Sequence, residues 1–341
     1  MKSYYYILIL TLFWAHKGLC NGADKSNQHF EMLTQLQQSI QLHYVEVQNI
    51  PSIINALDTL AQSKSFKSAT SSKQLLSIIN NELHKFDKHL SMSFVPSSNK
   101  KSTTDETIYE SWFDKLARKN YGFERVEVLP GNVGLLSFWG FANVTKQSKR
   151  KVAAIITLLE DSDSLIIDLR NNGGGDATMV QLISSYFLEK DTHLNSFYSR
   201  DSGLTSEFWT VPVNGKKRPK LPIYILTSNK TFSAAEEFAY NFKHLGRATI
   251  IGENTKGGAN PWRFVNLPNG IRVAMPTSKA INPITKTNWE GVGVKPDIKV
   301  KANQALEASY TIALEQLREK AKNKLKLQDI MQALENTSSI D

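Results

Sequence analysis

The chain has 341 residues, 41% of them hydrophobic and 10% aromatic, with a formal net charge of +9. That suffices to bury one large core or two ordinary ones and excludes a disordered or low-complexity chain. The basic residues are scattered, with small clusters at Lys216–Lys220 and Arg318–Lys326 and no interleaved aromatics; this excludes a nucleic-acid platform and reads as solvated surface.

The chain opens on Lys2 and an apolar run from Tyr4 to Trp14, too short to span a bilayer and of the length of a secretory leader. Small residues at Gly18, Cys20 and Gly22 put cleavage after Cys20 or Gly22, giving a signal peptide over 1–22. Lipoprotein anchoring at Cys20 is the lesser alternative, because Leu19 stands where a small residue is needed. Cys20 is the sole cysteine. An exported chain without disulfides fits a bacterial periplasm better than a disulfide-built extracellular module.

Residues 28–62 carry helical periodicity (Phe30, Leu33, Leu36, Ile40, Tyr44, then Ile53, Ile54, Leu57, Leu60), and Pro51 splits the run into two helices. Ser63 to Ser72 reads as a connector and Gln74 to Phe86 as a third helix, so 23–100 is predicted to be an N-terminal helical domain. His89 to Phe94 alternates like a strand, and Pro96 to Glu106 reads as a loop or linker. The core then runs over 101–341. A short helix is predicted at 109–118. Arg125–Leu129 and Val133–Trp139 form a hairpin about Pro130-Gly131-Asn132, followed by a helix over 149–159. Two strand–loop–helix units follow: Ser164–Leu169, a Gly-rich loop over 170–176 and a helix over 177–188; then the strand Ile223–Leu226, a turn and a helix through Phe242. This alternation predicts an α/β core. A strand at 248–251, a hairpin of Trp262–Leu267 and Ile271–Met275 about Pro268-Asn269-Gly270, and a helix over 306–325 complete it.

Ser233 stands at the corner where the second unit turns from strand to helix. Free N–H groups and the helix dipole favour negative charge there, as an acyl-transfer nucleophile requires for the oxyanion that develops beside it. Ser233 with Glu236 is equally the S-x-x-E of a capping box, and this stretch by itself favours the cap. The loop Asp168-Leu169-Arg170-Asn171-Asn172-Gly173-Gly174-Gly175 brings backbone N–H groups close to a ligand. Its spacing fits neither nucleotide-binding glycine motif. It reads as an oxyanion hole or as a tight turn.

Taken together and in order, D-L-R-x-N-x-G-G (Asp168–Gly175), the serine at a helix start (Thr231–Glu236), I-G-E-x-T-x-G (Ile251–Gly258) and the segment Glu290–Asp297 resemble the S41 family of serine peptidases. The resemblance implies a ClpP/crotonase-like α/β core behind the N-terminal helical domain. The processing-peptidase branch of that family uses a Ser–Lys dyad, and its lysine falls at Gly258 here; Lys256, offset by two, is a weak substitute. No PDZ-like insertion is evident either. The tricorn and retinoid-binding-protein-like branch takes its base from an N-terminal histidine in a D-x-H segment, which Asp87-Lys88-His89 resembles. The resemblance therefore implies Ser233 as nucleophile, His89 as general base and Glu290 as its orienting partner, with Gly174 and Ala234 as oxyanion donors. Asp87 is an alternative orienter, and Lys88, which stands where tricorn-like enzymes carry a relaying serine, could instead pair with Glu290. His84 and His244 read as structural. The histidines are dispersed and no metal motif is present, so neither metal nor cofactor is implied. The implied function is an exported serine peptidase acting on peptide or protein. The alternative is a catalytically inactive module binding a hydrophobic ligand or peptide on the same fold. An esterase would lack the G-x-S-x-G elbow.

Overall fold

The computed structural model describes residues 20–95 and 110–337. The predicted leader before Cys20 and the whole of the 96–106 linker lie outside these residues. The helices are α1 (Cys20–His43), α2 (Ile50–Gln62), α3 (Lys64–Lys67) and α4 (Ser72–Leu83), leading to β1 (Ser91–Phe94). Pro51 sits in the first turn of α2, where its missing N–H is no loss. The predicted connector folds into α3, because the Ser63 hydroxyl accepts the Phe66 N–H and Phe66 is buried.

Next come α5 (Trp112–Arg118), β2 (Phe123–Leu129), β3 (Val133–Phe138), α6 (Lys146–Leu158), β4 (Ser164–Asp168) and α7 (Ala177–Ser184). Two strands with no clear sequence signal, β5 (His193–Ser199) and β6 (Thr205–Trp209), precede β7 (Ile223–Thr227), α8 (Ala234–His244) and β8 (Thr249–Gly252). The chain ends with β9 (Trp262–Leu267), β10 (Ile271–Pro276), β11 (Ser278–Ile281), β12 (Ile298–Lys299), α9 (Ala305–Lys320) and α10 (Lys324–Glu335). The single C-terminal helix predicted over 306–325 is two helices. Asn323 caps the second by accepting the Leu325 and Lys326 N–H groups.

Six strands form one sheet in the order β12-β8-β7-β4-β3-β2, parallel except for the edge pair β2–β3. β7 is buried along its whole length, as a parallel strand covered on both faces must be. One face carries Val152, Ile155, Met179, Ile183, Phe238 and Phe242 from α6, α7 and α8. The other carries Leu306, Tyr310 and Leu314 from α9 with Ile330 from α10. Two three-stranded sheets, β1-β10-β9 and β11-β5-β6, complete the α/β fold.

The N-terminal helices do not form a core of their own. Leu36, Ile40, Ile53, Leu57 and Ile79 pack together with Met92 of β1 and with Ile271, Val273 and Met275 of β10. The hairpin β9–β10, far along the chain, is thus the floor on which the helices sit. β1 pairs antiparallel with β10, and the segment just before it, containing His89, lies against Phe232 in the turn that follows β7. Because β4, β7 and β8 are parallel neighbours, the segments that follow them leave from the same end of the sheet, where open α/β sheets hold their ligands.

Candidate active site

Ser233 has φ 57° and ψ −122°. An ordinary N-cap lies in the extended region, as Ser71 (φ −138°) and Thr145 (φ −122°) do at the starts of α4 and α6. A positive φ on a serine costs on the order of 1–3 kcal/mol and persists only where the surroundings enforce it. Those surroundings are explicit. The Phe232 N–H is donated to the Asn172 carbonyl (3.0 Å), and the Thr231 hydroxyl to the Leu169 carbonyl (2.8 Å). The Ser233 N–H is donated to Glu236 Oε2 (2.9 Å). This is the Glu236 half of the predicted capping box, but Glu236 does more than cap. It is wholly buried and also accepts the Gly257 and Gly258 N–H groups (2.7 and 2.9 Å) and the Thr255 hydroxyl. Burial pushes its pKa up to about 7 against the pull of these four hydrogen bonds.

The Gly loop packs directly on the serine. A Cβ on Gly174 would lie 2.7 Å from Ser233 Cβ and 3.0 Å from the Ala234 nitrogen, at φ +89°, so only glycine fits. The D-L-R part of the motif is structural: Arg170 grips Asp168 through Nε (2.9 Å) and Nη2 (2.7 Å) and reaches the Ala302 carbonyl (2.8 Å). One expectation needs correcting. The Gly174 N–H does not point free as an oxyanion donor; it is donated to Asn172 Oδ1 (2.9 Å). Asn172 is fully buried and anchored to the Phe138 carbonyl through Nδ2 (2.8 Å). Among the described residues the N–H groups of Ala234 and Gly175 have no backbone acceptor.

His89, 7% exposed, reaches the same place from the N-terminal side. Its ring lies against Phe232, the residue before Ser233, with centroids 4.5 Å apart. Gly258 makes room for it: a Cβ there would stand 2.2 Å from Phe232 Cε2 and 2.8 Å from His89 Cε1. The position at which the resemblance would put a dyad lysine is therefore filled by two rings. Burial, followed by the charge of Lys256, pushes the His89 pKa down to about 3, which keeps the imidazole neutral.

Asp87, His89 and Glu290 come together, one donor atom of each lying within 4.8 Å of the others. Glu290 Oε2 accepts the Ala259 and Asn260 N–H groups (2.6 and 3.2 Å), while Oε1 is buried without a partner, as is His89 Nδ1. Asp87 Oδ1 accepts the His89 backbone N–H (2.8 Å) and stands 4.0 Å from Nδ1. Asp87 Oδ2 accepts the Tyr44 hydroxyl (3.3 Å). Burial raises the pKa of both carboxyls, and each sharpens the cost of charging the other.

The two candidate lysines do not join them. Lys88 is exposed and donates to the His84 carbonyl (2.6 Å), which removes it as a partner of Glu290. Lys256 is exposed, with Nζ 4.4 Å from the Phe232 ring centroid, and faces an aromatic rather than the serine. No sequence pattern points to Phe232, which carries the contact between His89 and the Ser233 turn, or to Glu236 as a hub. The S-x-x-E pattern marked Glu236 only as a cap. No helix among the described residues is long and apolar enough to cross a membrane.

Residues 132–300 match the sequence profile of Peptidase family S41. A carboxyl-terminal-processing protease of Picosynechococcus sp. is 25% identical over 200 residues, 58% of this chain and 44% of that protein. The match spans less than half the length of that protein and of a carboxy-terminal processing protease of Bacillus subtilis, 24% identical over 203 residues. Mature CPAF in complex with lactacystin has the same fold at 14% identity, with a TM-score of 0.59 over 91% of this chain and 99% of CPAF. A putative peptidase of Parabacteroides merdae does so at 20% identity, with a TM-score of 0.57 over 85% of this chain and 96% of its own. The segment over residues 132–300, which bears the Gly loop, Ser233 and Glu290, thus carries the sequence profile of peptidase family S41.

Proposed function

We propose that this protein is a serine peptidase that cleaves peptide bonds through an acyl-enzyme, with Ser233 as nucleophile, His89 as general base and Glu290 as the group that orients and compensates His89. The observation that carries the reading is the contact of the His89 ring with Phe232 beside a serine held at φ 57°, in space that Gly258 leaves open. A cap requires neither the strained serine nor the neighbouring base.

In this reading the neutral imidazole keeps its proton on Nδ1, toward Glu290 Oε1, and its lone pair on Nε2. Nε2 takes the Ser233 Oγ proton as the oxygen attacks the peptide carbonyl carbon. The resulting imidazolium then protonates the leaving amine, and water, activated in the same way, releases the acyl group. The oxyanion is held by the Ala234 N–H at the start of α8 and by the Gly175 N–H, with Gly174 fixed by Asn172 as the spacer between them. The short gap between His89 Nδ1 and the carboxyls closes as charge develops on the ring; catalytic contacts commonly tighten only with substrate. A histidine base in place of the dyad lysine groups the chain with the tricorn-like branch on a ClpP/crotonase-type core. The leader sequence supports export to a periplasm, checked by N-terminal sequencing of the secreted protein.

A fluorophosphonate probe tests the assignment. Wild type is expected to be labelled at Ser233 and to hydrolyse an unfolded protein substrate, while Ser233→Ala and His89→Ala do neither. A wild-type protein that resists the probe and cleaves nothing would sink the peptidase reading.

A further inference from the structure

The fold gathers one histidine and two carboxylates into one largely buried cluster. Asp87 and His89 arrive from the end of the helical unit and Glu290 from the loop before β12, and their donor atoms lie within 4.8 Å of one another. Asp87 is 1% and His89 7% exposed. Two buried atoms of these residues, His89 Nδ1 and Glu290 Oε1, have no hydrogen-bond partner, and His89 Nδ1 stands 4.0 Å from Asp87 Oδ1. We propose that Asp87, His89 and Glu290 form a binding site for a divalent transition metal, Zn²⁺, that holds the enzyme inactive.

The donor set suits zinc, which takes imidazole nitrogen and carboxylate oxygen and leaves a fourth position to water. Bonds of about 2.0–2.2 Å in a tetrahedron set the ligand atoms about 3.3–3.5 Å apart. The 4.0 Å between His89 Nδ1 and Asp87 Oδ1 is within a side-chain rotation of that value. The outer shell is built as well. Glu290 Oε2 is oriented by the Ala259 and Asn260 N–H groups, and Asp87 by the His89 N–H and the Tyr44 hydroxyl, which leaves lone pairs on both carboxylates for a metal.

The effect on turnover rests on the peptidase reading and follows from the tautomer. As a base, His89 needs its lone pair on Nε2 and its proton on Nδ1. A metal on Nδ1 binds the other tautomer, using the Nδ1 lone pair while the ring's proton sits on Nε2, so the serine proton has no acceptor. Protons held by the two carboxyls leave to solvent as the metal binds. No redox step is involved, and a chelator restores the ring.

The test titrates the full chain with Zn²⁺ by calorimetry and with Co²⁺ by visible absorption, alongside peptidase assays. We expect one metal per chain, a tetrahedral Co²⁺ spectrum, inhibition at equimolar Zn²⁺ and recovery with EDTA. Ser233→Ala should bind metal as wild type does. Affinity should fall at least about 100-fold in His89→Ala and about 10- to 100-fold in Glu290→Gln, since losing a ligand costs no less than losing an outer-shell partner. Glu290→Gln keeps the side-chain volume and serves if His89→Ala does not fold. Metal binding equal in wild type and both variants would overturn the site. Site-specific binding with peptidase activity untouched by zinc would overturn the switch. Site-specific binding by a protein that cleaves nothing would support the site and count against the peptidase reading.

Discussion

Glu236, beside Ser233, accepts four hydrogen bonds, whereas Glu290, beside His89, leaves one buried oxygen with no partner and His89 leaves its Nδ1 the same way. The two sides of the candidate site are thus built differently. The serine side, that of the proposed nucleophile, belongs to the parallel sheet. The segments after β4, β7 and β8 leave one edge and are sewn to one another by Asn172, Thr231 and Glu236. The base side is brought in from another unit, where β1 lies on β10 and the helices pack on the same hairpin. Its backbone and carboxylates are hydrogen-bonded, but the His89 ring rests on Phe232 with no hydrogen bond to Nδ1. On the proposed mechanism, the difference means that the serine geometry is fixed before substrate arrives, while the proton-transfer geometry is completed afterwards.

The largest expected effect comes from deleting the base. His89→Ala should lower kcat by about 10³-fold or more, with KM little changed, because the general base acts only in the transition state. Adding Ser233→Ala should cost almost nothing further, since the pair works as a unit. Steady-state kinetics on the two single variants and the double variant check this. Additive losses would separate the two sides of the cleft altogether.

Gly258→Ala probes the packing claim. Its methyl group would collide with Phe232 and His89 at 2.2 and 2.8 Å, so the ring must shift. A displacement of this order costs about 100-fold in turnover, while Ser233 stays in place. Slow fluorophosphonate labelling in a variant that still folds is the expected signature. Wild-type turnover would mean that the base is not held by this contact.

Glu236→Gln attacks the other side. The amide nitrogen would face backbone donors that now have a carboxylate, leaving at least one of them unpaired in the interior. That should lower stability by about 2–3 kcal/mol, measured by denaturant unfolding. Turnover should fall less than in Gly258→Ala, on the order of 10-fold, as the loop over 255–258 loosens.

How far the sequence reveals this arrangement follows from the same contrast. The nucleophile side is contiguous: an apolar strand, a turn and a helix start are local patterns, and Asp168–Gly175 and Thr231–Glu236 announce them. The α/β alternation is visible for the same reason. The base side depends on β1 pairing with β10 across about half the chain, and no local pattern encodes that register. Hence His89 could be proposed only from the resemblance of Asp87-Lys88-His89, and nothing foretold that Phe232 would touch it. β5 and β6 escaped notice because their burial is mixed and their turn carries no sharp signal. That the Gly174 N–H is taken up in an Asx turn by Asn172 is likewise invisible in sequence, because one rotamer sets it.

The smallest effect on turnover is expected at Glu237, one residue beyond Glu236 and on neither side's machinery. It is 4% exposed, and burial raises its pKa from 4.5 to about 8. A folded-state pKa above the unfolded one means that the folded chain binds more protons between these two values. Its contribution to stability is therefore fully present below pH 4.5 and lost as pH rises through 8. Glu237→Gln removes that loss. The variant should match wild type in kcat, match its stability near pH 4 and exceed it from neutral pH upward, most of all above pH 8. Thermal unfolding across pH 4–9 reads the difference. Equal curves would show that Glu237 is hydrated or paired well enough to stay charged. A change in kcat would place it in the nucleophile side after all, and the contrast between a sewn serine and a packed histidine would have to extend one helical residue further.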